Sequence, residues 1–150
     1  MACDSWKLMV TFISHSPEET VALGETWARE ARPGWVIGLS GDLGAGKTQL
    51  ARGLARGLGS TARVHSPTFA LLHEYRGGRL PLFHLDLYRL AGRDEIVDAG
   101  LEVYLTKPDG VVVVEWIERW GTVTAANYRA ARLDLRSEQE REVQYEDFSG

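Results

Sequence analysis

The chain carries the stretch Gly41-Asp42-Leu43-Gly44-Ala45-Gly46-Lys47-Thr48, which matches the pattern glycine, four residues, glycine, lysine and serine or threonine. In such a stretch the glycines let successive backbone N–H groups turn around an anion, and the following helix directs its positive end toward it. Lys47 is expected to reach the β and γ phosphates, and Thr48 to offer its hydroxyl to Mg²⁺. The pattern predicts a P-loop in which residues 42–48 hold ATP.

The flanking sequence supplies the elements that a P-loop requires. Trp35 to Ser40 is a brief apolar run of the kind found in buried parallel strands. After the loop, Leu50, Leu54 and Leu58 recur at a spacing of four, which predicts one face of a helix that Gly59 ends. Strand, glycine loop and helix therefore follow in the order that confirms the motif.

Three further elements are predicted on either side of this unit. Met9 to Ser14 reads as a short strand, and Ser16-Pro17-Glu18-Glu19 then combines a capping serine, proline at the first helical position and a glutamate three residues after the cap. The helix should stop at Arg32-Pro33-Gly34. Val111 to Val114 is β-branched and uniformly apolar, which predicts a central strand buried on both faces.

The remaining pattern completes an α/β prediction. Leu80 to Leu90 alternates in strand fashion, with a polar face. Ala131 to Arg136 and Arg141 to Tyr145 flank a polar link, Ser137 to Glu140, and predict a C-terminal antiparallel hairpin. We expect residues 1–150 to form a single P-loop NTPase domain with a mainly parallel central sheet flanked by helices.

Two acidic residues are candidates for a role beside the phosphates. Glu115 follows the four valines, at the carboxyl end of a buried strand, where a P-loop protein places an acid near its metal. Asp86 is the second candidate and could hold a metal-bound water or orient the water that attacks the γ phosphate. Outside a P-loop protein, Glu115 would read as a solvated strand end, and Asp86 as a turn residue or an ion-pair partner of Arg89.

Three other positions carry weaker signals. His84 and Tyr88 share the predicted polar face with Asp86, and a histidine there is expected to give hydrogen-bonded support rather than catalysis. Ser66-Pro67-Thr68-Phe69 follows the P-loop helix, where switch proteins place a threonine that senses the γ phosphate, so Thr68 is the candidate sensor. A simple proline-containing turn explains the same four residues.

Composition limits the class of protein. The chain has 150 residues, of which 44% are hydrophobic, and a net charge of −4 with scattered basic residues, which predicts one domain that meets nucleic acid only through a partner. The single cysteine, Cys3, excludes an internal disulfide and fits a reducing compartment. Leu8 to Ile13 is too short for a signal peptide or a membrane span, so we expect a cytoplasmic protein.

The motifs together resemble the bacterial TsaE family, formerly YjeE. They are the P-loop, the Ser66 to Phe69 turn, the run His84-Leu85-Asp86-Leu87-Tyr88-Arg89-Leu90 and the run Val114-Glu115-Trp116, and they extend across most of the chain. One departure is Gln49, where the family commonly has a second threonine. Because this position lies past the metal ligand, we expect only a modest effect on nucleotide binding.

The resemblance implies a function and a set of roles. It implies a slow ATPase that acts with TsaD and TsaB in forming threonylcarbamoyladenosine at position 37 of tRNAs that read codons beginning with A. It also implies Lys47 and Thr48 as phosphate and metal residues, Thr68 as the switch threonine, Asp86 as a catalytic acid and Glu115 as the magnesium ligand. The start of the first helix, Ser16 to Thr20, is implied to lie near the adenine.

Three other functions compete with this one. A GTP switch is suggested by Thr106-Lys107-Pro108-Asp109, which imitates a guanine-reading run but precedes the Val111 strand instead of following a late one. A small P-loop kinase shares the loop, although no arginine-bearing lid is evident. A nucleotide-gated assembly protein with incidental hydrolysis is compatible with the same residues.

Overall fold

The structure, a computed structural model, describes residues 9–42, 44–61, 64 and 71–149. Its strands are β1 (Val10–Ser14), β2 (Trp35–Gly41), β3 (Leu72–Tyr75), β4 (Leu82–Asp86), β5 (Val111–Glu115), β6 (Asn127–Leu135) and β7 (Arg141–Ser149). Its helices are α1 (Pro17–Glu30), α2 (Lys47–Gly57), α3 (Arg93–Asp98) and α4 (Glu102–Thr106), and a 3₁₀ turn spans Ile117–Arg119.

All the described strands form one sheet in the order β1-β7-β6-β2-β5-β4-β3. Four neighbours, β6, β2, β5 and β4, run parallel, and the outer strands β7, β1 and β3 pair antiparallel. The predicted C-terminal hairpin is confirmed, with strands longer than expected. Its first strand, β6, also belongs to the parallel centre, because it pairs with β2 along seven positions from Trp35 to Gly41.

The alternation of β5 explains how helices cover both faces of the sheet. Val111 and Val113 pack into the core beneath α1 and α2, whereas Val112 and Val114 pack into the core beneath α3 and α4. All four valines are fully buried. The prediction of a central strand covered on both faces is therefore confirmed.

Helices α1 and α2 approach each other closely through glycines. A Cβ atom added to Gly53 would collide with the carbonyl oxygen of Val21, and one added to Gly24 would collide with that of Leu50. Helix propensity alone would favour alanine at these positions by about 1 kcal/mol. Backbone contact between the helices thus overrides propensity, and it fixes the start of α1 beside the P-loop.

We expect Gly53→Ala to destabilise the fold by about 1–3 kcal/mol, because the added methyl group forces the two helices apart. Urea denaturation monitored by tryptophan fluorescence measures this change. Gly92→Ala is the matched control, since Gly92 has an extended backbone and no atom lies within 4 Å of an added Cβ. Equal stability of Gly53→Ala and the native chain would contradict the close helix contact.

Arg129 anchors the hairpin to α1. Its side chain is 5% exposed and forms ion pairs of 2.6 Å with Asp147 in β7 and 2.9 Å with Glu30 at the end of α1. Three aromatic rings lie 4.7 to 4.9 Å from its Cζ atom, those of Trp27, Trp35 and Tyr145. Burial lowers the pKa of Arg129, but the two carboxylates outweigh this and raise its pKa further above the usual value.

The strand predicted over Leu80 to Leu90 is shorter than expected. It ends at Asp86, because the chain then turns through a hydrogen bond from the N–H of Leu90 to the carbonyl of Leu87. His84 and Asp86 do share a face, but that face is covered, and His84 is fully buried beside Leu82 in the sheet interior. The expectation of a polar face extending to Tyr88 was therefore wrong.

Other short elements were not predicted from the sequence. The edge strand β3 and the helices α3 and α4 have four to six residues each, too few for a periodic signal. The run Thr106 to Asp109 ends α4 and leads into the amino end of β5. The P-loop follows the carboxyl end of the parallel neighbour β2, so the run and the P-loop lie at opposite ends of the parallel strands. Within the described ranges, no helix combines the length and apolarity needed to cross a bilayer.

Candidate nucleotide-binding site

A cleft of about 620 Å³ opens at the carboxyl ends of the parallel strands, where α/β proteins bind ligands. Its residues come from three regions: the P-loop, the ends of β4 and β5, and the start of α1 together with the hairpin turn. They are Gly44, Gly46, Lys47, Thr48, Gln49, Asp86, Tyr88, Glu115, Trp116, Ser16, Pro17, Thr20, Glu138, Gln139 and Arg141.

The P-loop has the backbone that an anion cradle needs. Gly44 and Gly46 have φ angles of 75° and 99°, in the left-handed region that glycine adopts without strain. Gly46 immediately precedes α2, which begins at Lys47, so the positive end of that helix faces the cleft. The strand, loop and helix predicted from the sequence are confirmed here.

Two predicted contact residues lie away from the cleft wall. The N–H of Asp42 donates to the carbonyl of Leu133 at 3.1 Å, and its carboxylate accepts from the N–H of Leu135 at 3.2 Å. Ala45 is fully buried. Asp42 thus ties the loop to β6, and neither residue is among those lining the cleft.

Lys47 is held in place by its own loop. Its Nζ atom donates to the carbonyl of Gly41 at 2.9 Å and lies 4.8 Å from the centre of the Trp116 ring. The side chain is 5% exposed but lines the cleft. Thr48, the next residue of α2, lines the same space and is partly exposed.

The structure brings the two predicted acids together. Asp86 and Glu115 are register partners on the parallel strands β4 and β5, and each is 5% exposed at the cleft. The Oδ1 atom of Asp86 also accepts from the N–H of Tyr88 at 2.9 Å, so the residue shapes the turn as well. Two carboxylates thus face one space beside the P-loop.

His84 supports Glu115 from behind. Its Nε2 atom lies 2.6 Å from Oε2 of Glu115, and its Nδ1 atom lies 3.4 Å from the hydroxyl of Tyr75. Because His84 is fully buried, it does not reach the cleft. This contact agrees with the supporting role expected for this histidine.

Sequence reasoning missed the aromatic wall of the cleft. The rings of Tyr88 and Trp116 lie 4.9 Å apart, and Trp116 has a φ angle of 63°, which is uncommon for a bulky residue. The indole lies over Lys47 and, partly buried, also packs against the core beneath α3 and α4. No local sequence pattern predicts such a conformation, although the position of Trp116 directly after Glu115 indicated that it lies near the site.

Sequence reasoning also missed the hairpin part of the opposite wall. The polar link of the hairpin, predicted as a plain connection, contributes Glu138 and Gln139 to the cleft, followed by Arg141. Thr20 of α1, in the stretch that the resemblance implied to lie near the adenine, also lines the cleft and lies against Gly46. These residues are distant in sequence from the P-loop, so only the sheet order brings them to it.

Two predicted site residues, Leu43 and Thr68, lie outside the residues that the structure describes, as does the run Ser66 to Phe69. The roles assigned to them stay predictions.

The donor atoms in the cleft suit Mg²⁺. The hydroxyl of Thr48 and the carboxylates of Asp86 and Glu115 are hard oxygen donors, which Mg²⁺ prefers. In the part of the chain that the structure describes, no cluster of three or more His, Cys, Asp or Glu residues forms a complete metal site. A metal here needs phosphate oxygens and water to complete its shell, which is how Mg²⁺ binds with nucleotides.

Comparison with known proteins decides the family. The family model described as "Threonylcarbamoyl adenosine biosynthesis protein TsaE" matches residues 14–144. The chain belongs to the TsaE family. The match includes the P-loop, both acids and the hairpin turn, so the whole cleft lies within the TsaE-like region.

Curated members of the TsaE family are similar over most of the chain. The tRNA threonylcarbamoyladenosine biosynthesis protein TsaE of Bacillus subtilis is 50% identical over 101 residues, which are 67% of this chain and 62% of that protein. The protein of the same name from Treponema pallidum is 45% identical over 109 residues, 71% of this chain and 78% of the relative.

The chain spans about three fifths of some relatives, with 62% of the Bacillus protein and 64% of the Nostoc protein covered. Among solved structures, that of Bacillus subtilis YdiB matches with a TM-score of 0.76 and 34% identity, covering 96% of this chain and 88% of that one. The P-loop NTPase fold expected from the sequence is therefore confirmed.

Proposed function

We propose that this chain binds MgATP in the cleft and hydrolyses it, in support of forming threonylcarbamoyladenosine at position 37 of tRNAs that read codons beginning with A. The observation that carries the proposal is the convergence of four groups on one cleft: Lys47, Thr48, Asp86 and Glu115. The names of the TsaE relatives supply the pathway.

Binding would begin with an exchange of partners at Lys47. Its ammonium group leaves the carbonyl of Gly41 and takes the β and γ phosphates, which offer a stronger, charge-assisted interaction. The N–H groups at the start of α2 face the same oxygens. Trp116 lies on Lys47 and keeps water away from it on that side.

Thr48 and Glu115 are proposed to hold Mg²⁺, and His84 to orient Glu115 through their 2.6 Å hydrogen bond. Bound Mg²⁺ would supply neutralisation of charge on the phosphate oxygens. Asp86 is proposed to accept a hydrogen bond from the attacking water and to align it with the γ phosphate. Catalysis would then rest on positioning and charge, as is usual in phosphoryl transfer.

The proposed partners are TsaD and TsaB, with tRNA met through them, and the proposed location is the cytoplasm. The net charge of −4 supports an indirect contact with tRNA, because strong binding of tRNA by the chain alone needs a basic surface. The GTP-switch alternative loses support, since the run Thr106 to Asp109, which would have to read the guanine, lies at the amino ends of the parallel strands, and the cleft lies at their carboxyl ends.

The test combines the purified chain, MgATP, tRNA, a threonylcarbamoyl donor and the TsaB and TsaD proteins of one source, with phosphate release and modified adenosine as readouts. We expect slow hydrolysis by the chain alone and a rate at least about tenfold higher with both partners, which corresponds to about 1.4 kcal/mol of barrier. Hydrolysis that ignores the partners and requires a small phosphoryl acceptor would support a kinase instead.

A further inference from the structure

Two residues other than glycine have positive φ angles within the ranges that the structure describes, Leu71 at 62° and Trp116 at 63°. A side chain makes this left-handed conformation unfavourable, so it persists only where the surrounding structure holds it. Trp116 directly follows Glu115 at the end of β5, and Leu71 is hydrogen-bonded to Asp86 at the end of β4. The two unfavourable conformations therefore flank the two acids of the cleft.

Leu71 is joined to β4 by half of a normal ladder pair. The N–H of Asp86 donates to the carbonyl of Leu71 at 3.0 Å. In an antiparallel ladder, two residues that pair through hydrogen bonds exchange two of them. Among the described residues the return bond, from the N–H of Leu71 to the carbonyl of Asp86, is absent. The regular pairing of β3 with β4 thus begins at Leu72, which lies opposite Leu85.

The left-handed backbone also changes the face on which the side chain of Leu71 lies. Successive residues of an extended strand point to opposite faces of the sheet. Leu71 and Leu72, however, both pack against the core beneath α3 and α4. The side chain of Leu71 is therefore turned away from the face that strand alternation would give it.

Strand alternation would place this side chain beside the acids. Residues directly opposite each other on antiparallel strands share a face, with Cβ atoms about 5 Å apart, so an extended Leu71 would share the face of Asp86. Asp86 in turn lies opposite Glu115, which continues the face of Val111 and Val113 toward α2 and the P-loop. An apolar side chain would then lie against the carboxylate at which the attacking water is proposed to bind.

The end of β4 has little freedom to make room for such a side chain. The Oδ1 atom of Asp86 accepts from the N–H of Tyr88 at 2.9 Å, and the N–H of Leu87 donates to the carbonyl of Glu115 at 3.1 Å. Asp86 is thereby fixed relative to both its own turn and β5. Access of water to its carboxylate depends on where the side chain of residue 71 lies.

We propose that Leu71 is a positioning residue for hydrolysis. Its left-handed backbone keeps the carbonyl on the N–H of Asp86 and turns the side chain to the opposite face, which leaves room for water beside the carboxylate. The inference rests on the proposed hydrolysis of MgATP and on the role of Asp86 in it. Conformation, and not apolar packing, should therefore decide which substitutions at this position preserve the rate.

Leu71→Ile is the decisive variant. Isoleucine has the same number of atoms as leucine, but its branched Cβ disfavours a positive φ and favours an extended backbone. We expect kcat for ATP hydrolysis to fall by about tenfold or more, because water alignment at Asp86 is impaired, while the Kd for MgATP changes less than about twofold. Leu71→Gly should keep more than about half of the native kcat, because glycine adopts a positive φ freely and has no side chain to crowd Asp86.

Phosphate release at saturating MgATP gives kcat, and calorimetry gives Kd, for the full chain alone and with TsaB and TsaD. Leu72→Ile is the matched control and should behave as the native chain, since Leu72 packs against the same core but lies in β3, where isoleucine is favoured. Melting temperatures add a readout that is independent of activity. Leu71→Gly should lower the melting temperature less than Leu72→Gly does, because only the former relieves an unfavourable φ.

A kcat that is kept in Leu71→Ile and lost in Leu71→Gly would show that Leu71 acts by apolar packing, and would overturn the inference. Native rates in both variants, equal losses in both, or a loss in Leu71→Ile that appears only with the partners would also overturn it. If Leu71→Ile does not fold, melting decides: a fall for Leu71→Gly as large as that for Leu72→Gly contradicts the inference. A native chain that does not hydrolyse ATP would instead refute the proposed function.

Discussion

Replacing Lys47 with alanine is expected to lower ATP hydrolysis by about 100-fold or more, the usual loss when a group that stabilises developing charge is removed. The fold should survive, because the change removes a buried cation together with the one hydrogen bond that it makes to the described residues, to the carbonyl of Gly41. Phosphate release at saturating ATP, with the partner proteins present, measures the effect.

Lys107→Ala is the control for this experiment. Lys107 is exposed and follows α4, near the amino end of β5 and away from the cleft, so its removal should leave turnover unchanged. Unchanged turnover in Lys47→Ala would remove the P-loop lysine from the mechanism. A similar loss in both variants would point to a general effect of charge.

Asp86→Asn is expected to lower hydrolysis by about 100-fold while MgATP still binds, since general-base assistance contributes about that factor or more. Asparagine keeps the oxygen that accepts from the N–H of Tyr88, so the turn after β4 should persist. Turnover and equilibrium ATP binding must both be measured, because the separation of the two is the prediction.

This variant also separates hydrolysis from assembly. If modification of tRNA stops in Asp86→Asn while the partners still bind, hydrolysis is required for the cycle. Modification at the native rate would favour a nucleotide-gated assembly protein in which hydrolysis is incidental. Asp109→Asn makes the same chemical change at an exposed position near the amino end of β5 and should behave as the native chain.

Short stretches of sequence were sufficient to predict the elements whose conformation depends on adjacent residues. The four valines of β5 require burial on both faces, and Ser16 caps α1 by accepting from the N–H of Glu19 at 3.1 Å, as the capping pattern predicts. The P-loop glycines demand φ angles that few other residues adopt. In each case a few adjacent residues determine the local energy.

Contacts between distant residues were not predictable in the same way. The hydrogen bond between His84 and Glu115 depends on the pairing of β4 with β5, and the position of Arg141 in the cleft depends on β6 pairing with β2. Sheet order, which no short window of sequence contains, determines both. The φ angle of 63° at Trp116 is likewise not predicted by any pattern in the neighbouring sequence.

The central claim is that this cleft binds MgATP, and calorimetric titration of the purified chain with ATP tests it most directly. With Mg²⁺ present we expect one site per chain, with affinity reduced by about tenfold or more when EDTA replaces the metal, since the oxygen donors of Thr48 and Glu115 then face uncompensated phosphate charge. Lys47→Ala should bind more weakly in both conditions. Absence of binding by the native chain, or equal binding by the native chain and Lys47→Ala, would contradict the account.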